Sequence, residues 1–302
     1  MFSEITGGQP GRPVHKLETH DKIAAVFFLA PSLAGFLVFF LLPFIGGTYY
    51  SLVDSPVAGS FVGLANYRGL LKNPIFLKAA ANTLIFSGIS VPLIILLSLA
   101  MAILLNKGVY GKSILRMSFI IPLAVPVACV VLVWQVVFDT AGSLNGLLRF
   151  MGLGGADWMK TGWARTVVII VYLWKNTGYN MVILLAGLQN IPTEYYESAD
   201  IDGAGAGRKF GSITAVYLTP AMFFVFIISI INSFKVFRET YLMAGPYPQD
   251  SIYMLQHYMN NMFMSLDYQK LTAAALLTAA LIYLLILLLF GVERKISSGL
   301  GQ

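Results

Sequence analysis

Six long apolar runs alternate with polar stretches along the chain, at residues 23–50, 83–105, 114–138, 166–189, 213–235 and 271–292. Each reaches the roughly 20 residues that an α-helix needs to cross the hydrocarbon core of a bilayer. None shows the period-two alternation of a membrane β-barrel strand, and a helix satisfies all its backbone groups within the segment. The pattern predicts an all-α membrane protein with six transmembrane helices. It divides into a polar N-terminal segment over 1–22, a six-span domain over 23–292 and a C-terminal tail over 293–302. The first run far exceeds the ~7–15-residue core of a signal peptide, so it reads as an uncleaved span. Pro31, Pro43, Pro92, Pro122 and Pro126 fall inside runs, where a missing N–H either kinks a helix or is simply tolerated, as is common in membranes.

Composition supports the same class. Of 302 residues, 57% are hydrophobic and 11% charged, with mean hydropathy +0.75, whereas soluble domains carry about 25% charged residues. The net charge of +6 is too scattered for a nucleic-acid-binding stripe and reads instead as membrane topology. With the N-terminus inside, ten bases are cytoplasmic (Arg12, Lys16, Lys22, Lys107, Lys112, Arg116, Arg208, Lys209, Arg294 and Lys295) against seven outside (Arg68, Lys72, Lys78, Arg149, Lys160, Arg165 and Lys270), the direction that the positive-inside rule favours. Both termini are then cytoplasmic. The single cysteine, Cys129, sits in an apolar run and is expected to be a buried, inert thiol.

One polar island breaks the pattern between the fourth and fifth runs, EYYESADIDGAGAGRKF at residues 194–210. Thr193 is placed to cap a short helix whose first turn holds Glu194 and Glu197, three apart on one face and favoured there by the helix dipole. Asp202-Gly203 signals a turn, with Gly203 free to take positive φ. Arg208, Lys209 and Phe210 then lead towards the fifth span. On these residues alone, a docking element for a soluble partner and an ordinary solvated loop are equally open.

The island resembles the EAA loop of bacterial ABC importer permeases. Glu197-Ser198-Ala199, Asp202-Gly203-Ala204, Phe210, Ile213 and Pro220 carry the likeness. Ser198 replaces the usual first alanine. Val216 stands where many members have a proline, which implies a less bent start to the fifth span. Phe61-Val62-Gly63-Leu64-Ala65-Asn66-Tyr67, Asn82-Thr83 and Leu185–Pro192 extend the likeness over about residues 23–292, on the carbohydrate type that includes the maltose F-type and glycerol-phosphate A-type membrane components. The resemblance implies a bacterial cytoplasmic (inner) membrane location, a heterodimer with a second homologous permease subunit, two ATPase subunits and an extracytoplasmic solute-binding protein. It implies that residues 193–212 couple to the ATPase, through Glu194, Glu197, Ser198, Ala199, Asp202, Gly203, Ala204, Arg208 and Phe210. It also implies that ATP and magnesium act on the partner ATPases, with no cofactor and no catalysis in this chain.

The chain's own residues agree on the last point. Gly111-Lys112-Ser113 ends like a phosphate-binding loop, but Asn106 stands where the first glycine is needed, and there is no HExxH or GxSxG pattern. No metal-ligand spacing is present. A charge within a span costs about 2.5–3.5 kcal/mol on insertion scales, so Lys175 stands out. Lys175, Asn176, Tyr179 and Asn180 in the fourth span, Asn232 and Lys235 in the fifth, and Trp134 and Gln135 in the third are the candidate substrate pathway. Amides suit hydroxyls and aromatic rings suit pyranose faces. The alternative is that these groups bond one another and hold helices together, with Glu239 or Asp139 as counter-ion to a lysine. The function expected is import of a sugar or oligosaccharide. The alternatives are a stand-alone secondary transporter, which would bring inverted repeats and acids within spans, and an importer of a sugar phosphate or anionic sugar.

Overall fold

The computed structural model describes residues 19–107 and 110–300. The basic residues Arg12 and Lys16 of the N-terminal segment lie outside them. The described residues fall into two compact units that divide between Tyr49 and Tyr50. Among the described residues, six helices are long and apolar enough to cross a membrane, as the hydropathy pattern predicts, and no strand forms beyond an isolated bridge between Val53 and Phe61.

The first unit is one apolar helical segment, α1 (Thr19–Phe36), a π turn (Leu37–Leu41) and α2 (Leu42–Tyr50). The π turn has a local cause. In a regular helix the ring of Pro43 would meet the carbonyl of Phe39, four residues back. Letting the Leu42 N–H reach back to the Leu37 carbonyl widens the helix there.

The second unit contains α3 (Ala65–Lys72), α4 (Pro74–Asn106), α5 (Lys112–Ala124), α6 (Val127–Phe138), α7 (Ser143–Phe150), α8 (Ala164–Gln189), α9 (Thr193–Ile201), α10 (Ala206–Lys209), α11 (Ala215–Phe234), α12 (Phe237–Ala244), α13 (Leu255–Met264) and α14 (Tyr268–Leu300). A second π turn, Phe210–Thr214, joins α10 to α11. Several predicted spans change length. The second begins nine residues earlier than expected, because Asn73 caps the Ile75 and Phe76 amides and Pro74 sits where a helix tolerates it. The third breaks into α5 and α6 at Val125-Pro126, since a residue before proline is driven to extended backbone and Val125 adopts it, with ψ 133°. The fifth run continues past Lys235 into α12. The tail expected from 293 continues α14 instead.

The helices α4, α8 and α11 form the centre, burying Phe86, Ile94, Ala102, Val168, Met181, Leu184, Leu218 and Val225. Lipid removes the hydrophobic drive between helices, so close packing and interhelical hydrogen bonds decide the arrangement. A Cβ on Gly178 would lie 1.8 Å from the Phe119 carbonyl oxygen, so α8 meets α5 backbone to backbone there. A Cβ on Gly187 would lie 2.8 Å from Leu218 Cδ1 on α11. Ser87 and Ser233 share a hydrogen bond of 2.7 Å, and Ser98 Oγ donates to the Thr177 carbonyl at 3.2 Å.

At the bundle end where α8 begins, buried polar groups hold the connections. Arg165 donates to Asn82 Oδ1 at 2.9 Å and to the Ser251 carbonyl, while Asn82 donates to the Asp250 and Tyr253 carbonyls. Asn145 bonds the Asp139, Thr140 and Ala156 backbone and accepts from Trp158 Nε1. The FVGLANY segment folds back onto residues 51–54. Asn66 donates to the Ser51 and Val53 carbonyls and the Tyr67 hydroxyl meets Ser51 Oγ. The stretch between α11 and α14 forms α12, a short 3-10 turn (Asp250–Ile252) and α13.

Candidate transport cavity and coupling loop

The polar island folds as a helix, a tight turn and a second short helix. Helix α9 ends at Ile201, and Gly203 takes φ +69°. The Ala204 amide reaches back to the Ala199 carbonyl at 2.9 Å and the Gly203 amide to the Asp200 carbonyl at 3.1 Å. This paired pattern is the Schellman cap, which needs a left-handed residue where Gly203 stands. The start of α9 corrects an expectation. Pro192, not Thr193, occupies the cap position, and no side chain caps the helix. With φ fixed by its ring and extended ψ of 134°, Pro192 sets the turn into the helix.

Two tyrosines fasten α9 to the fifth span. Tyr196 shares a hydrogen bond of 2.8 Å with Thr214, and the Tyr195 ring lies 5.1 Å from that of Tyr217. Lys209 pairs with Asp200 across the turn. Glu194, Glu197, Ser198, Asp202, Gly203, Arg208 and Phe210 are exposed, with Ala199 and Ala204 half-buried. Ile201 was missed by the sequence reading, although its spacing of seven from Glu194 and four from Glu197 places it on their face. It is 88% exposed, an apolar knob beside two carboxylates. The π turn at Phe210–Thr214 gives the start of the fifth span an irregularity that the missing proline at Val216 did not lead us to expect.

The polar residues of the fourth and fifth spans meet at one place. Lys175, Asn176, Asn232 and Lys235 line a cavity of about 220 Å³ with Tyr172, Arg238, Glu239 and Leu123. Lys175 is about 16 Å along α8 from Ala164 at 1.5 Å per residue, well inside the ~30 Å hydrocarbon core. Lys175 pairs with Glu239, and their side chains are 16% and 9% exposed. Of the two counter-ions considered, Asp139 is not used, because its carboxylate accepts the Ala141 amide in its own turn. Asn176 donates to the Tyr172 carbonyl, leaving its amide oxygen towards other partners. Glu239, Arg238 and Tyr172 were not among the candidates. The signal for the first two was their position directly after the fifth run.

Other candidates lie elsewhere. Asn180 is buried and donates to Ser229 Oγ at 2.8 Å, while the Tyr172 hydroxyl donates to the Ser229 carbonyl. This is the helix-bridging arrangement weighed as the alternative. Tyr179 faces outward, and Trp134 packs between Phe138 and Trp174 with ring separations of 5.5 and 5.6 Å. Gln135 donates to the Leu242 carbonyl and borders a separate cavity of about 470 Å³ with Asp139, Asp157 and Lys160. Cys129 is exposed rather than buried, because it lies on the outward face of α6. Among the described residues no group of His, Cys, Asp or Glu is placed to hold a metal.

Comparison with known proteins places this arrangement. The family described as the inner membrane component of binding-protein-dependent transport systems matches residues 94–300. The sulfoquinovosyl glycerol transport system permease protein SmoG of Agrobacterium fabrum is 30% identical over 86% of this chain and 87% of its own. The trehalose/maltose transport system permease protein MalF of Thermococcus litoralis is 32% identical over 88% and 92%. The arabinooligosaccharides transport system permease protein AraP of Bacillus subtilis is 37% identical over 74% and 72%. A chain of a bacterial alginate ABC transporter, solved with an alginate pentasaccharide-bound periplasmic protein, shares the fold with a TM-score of 0.80 at 22% identity, over 92% of this chain and 96% of that one. The chain is a multi-pass membrane protein that belongs to the inner-membrane permease components of binding-protein-dependent ABC transport systems.

Proposed function

We propose that the chain forms half of the transmembrane pathway of an ATP-driven importer for a sugar or oligosaccharide. The observation that carries this reading is the polar cavity where α8, α11 and the start of α12 meet. It is deep within the spans, and the fifth span is interrupted beside it at Lys235-Val236. Irregular backbone at such depth is tolerated where it lines a cavity. Asn176 and Asn232 offer amides to hydroxyl groups. The saccharides in the names of SmoG, MalF and AraP support the same class of cargo.

In this reading the loop 193–212 faces the cytoplasm, with the N- and C-termini on the same side. The face of Glu194, Glu197 and Ile201 seats in a groove of an ATPase subunit, and a second permease subunit completes the pathway. ATP and magnesium act on the ATPases, and a solute-binding protein delivers cargo to the opposite side. Tyr195 and Tyr196 tie α9 to the base of α11, so a shift of the ATPase moves α11 and with it the cavity wall at Asn232.

The test is uptake of labelled saccharides by cells that express the transporter with its partner subunits. Asn176→Ala combined with Asn232→Ala should lower uptake by about tenfold or more, the factor that 1.4 kcal/mol of lost binding gives, with the complex still assembled. Unchanged uptake would remove the cavity from the pathway.

A further inference from the structure

We propose that this cavity selects saccharides carrying a fixed negative charge, a carboxylate, sulfonate or phosphate, over neutral ones. The inference rests on the permease reading above and concerns what that same site takes. Four charged side chains line the cavity, Lys175, Lys235, Arg238 and Glu239. The one carboxylate is already committed to Lys175. Lys235 and Arg238 have no ion-pair partner among the described residues. Asp139, the other acid near this end of α6, is held in its own turn. The cavity therefore presents three cations against one carboxylate, and the two unmatched cations are the accessible ones, since both are exposed while Lys175 and Glu239 are largely buried.

The positions explain why this excess matters. Lys235 caps the end of α11, and Arg238 stands in the first turn of α12, so the break in the fifth span puts both at the cavity. An arginine presents a planar fork that meets a carboxylate or sulfonate with two parallel hydrogen bonds. A neutral sugar would leave both cations without a counter-charge as it displaced their water. An anionic sugar supplies that charge, and the paired Glu239 adds little repulsion.

The experiment measures binding of a neutral trisaccharide and a matched uronic-acid trisaccharide to the complete transporter in nanodiscs. Nanodiscs of neutral lipid and of anionic lipid are run in parallel. The acidic sugar should bind about tenfold tighter or more, and the preference should shrink as salt rises. Lys235→Gln with Arg238→Gln should abolish the preference, and Lys235→Arg with Arg238→Lys, which keeps the charge, should retain most of it. Equal or tighter binding of the neutral sugar, or a preference that survives the neutralised variant, overturns the proposal. So does a preference that follows the lipid charge and not the sugar charge, which assigns the two cations to lipid headgroups. Binding of neither sugar, with an intact complex, overturns the saccharide reading itself.

Discussion

Removing one partner of the Lys175–Glu239 pair should damage the protein far more than removing both. The two side chains are 16% and 9% exposed and link α8 to α12 across the cavity. Lys175→Met leaves the Glu239 carboxylate buried without its cation. Breaking a buried pair in this way typically costs about 3–5 kcal/mol, whereas replacing both partners by apolar groups of similar volume is often neutral or stabilising. Lys175→Met with Glu239→Leu should therefore recover most of the loss, with a coupling between the sites of about 3 kcal/mol. Thermal unfolding of the purified transporter in detergent reads this directly. At the ~2–4 °C per kcal/mol usual for a domain of 150–250 residues, Lys175→Met should lower the midpoint by roughly 10 °C and the double variant by only a few degrees. A single variant within the error of wild type would refute the reasoning, since it would mean that the pair is solvated. A double variant as unstable as the single would mean that the charges are needed individually and not as a pair.

Three further outcomes follow from particular residues. Gly178→Ala should destabilise by about 1–3 kcal/mol, the usual range for overpacking, because its Cβ meets the Phe119 backbone; Gly69→Ala, with open space around it, is the control in the same unfolding assay. Gly203→Val should uncouple ATP hydrolysis from uptake while Gly203→Asn largely preserves it. Space around Gly203 is open, so the obstacle is φ +69°, which costs an ordinary L-residue about 1–2 kcal/mol but which asparagine tolerates. His257 lies outside the membrane-spanning helices, and its burial pushes its pKa down to about 4 from 6.5. The unfolded chain takes up the proton first, so stability should be level above pH 6.5, fall between pH 6.5 and about 4, and level off below. The fall is on the order of 3 kcal/mol at most, and His257→Gln should flatten that segment of a stability–pH curve.

Much of the conformation of residues 193–212 was legible because its determinants are local. The Asp202-Gly203 turn needs only a residue that accepts positive φ, and acids in a first helical turn follow from the dipole. The cap at Thr193 was misassigned because a threonine after proline reads as a cap, while the extended ψ of Pro192 leaves the chain already turned when Thr193 arrives. Ile201 was overlooked because an isoleucine inside a polar stretch reads as an anchor until its exposure is seen. The cavity was legible only in part. Lys175 and Asn176 stand out as polar residues in an apolar run, but nothing in the pattern separates Asn176, which faces the cavity, from Asn180, which bridges to Ser229. One helical turn sets them on similar faces, and the depth of the neighbouring helix decides which is covered.

The sequence by itself determined the class, the number of spans and the Asp202-Gly203 turn, because crossing a bilayer demands long apolar helices and because a glycine turn is a property of one residue's backbone. Tertiary structure decided which charges meet. Glu239 stands 64 positions from Lys175, and only the break after α11 and the packing of α12 against α6 bring the carboxylate to the lysine while leaving Lys235 and Arg238 without one. That distinction depends on the relative depth and rotation of separate helices, which close contacts such as Gly178 against Phe119 set, and hydropathy along the chain carries no record of either.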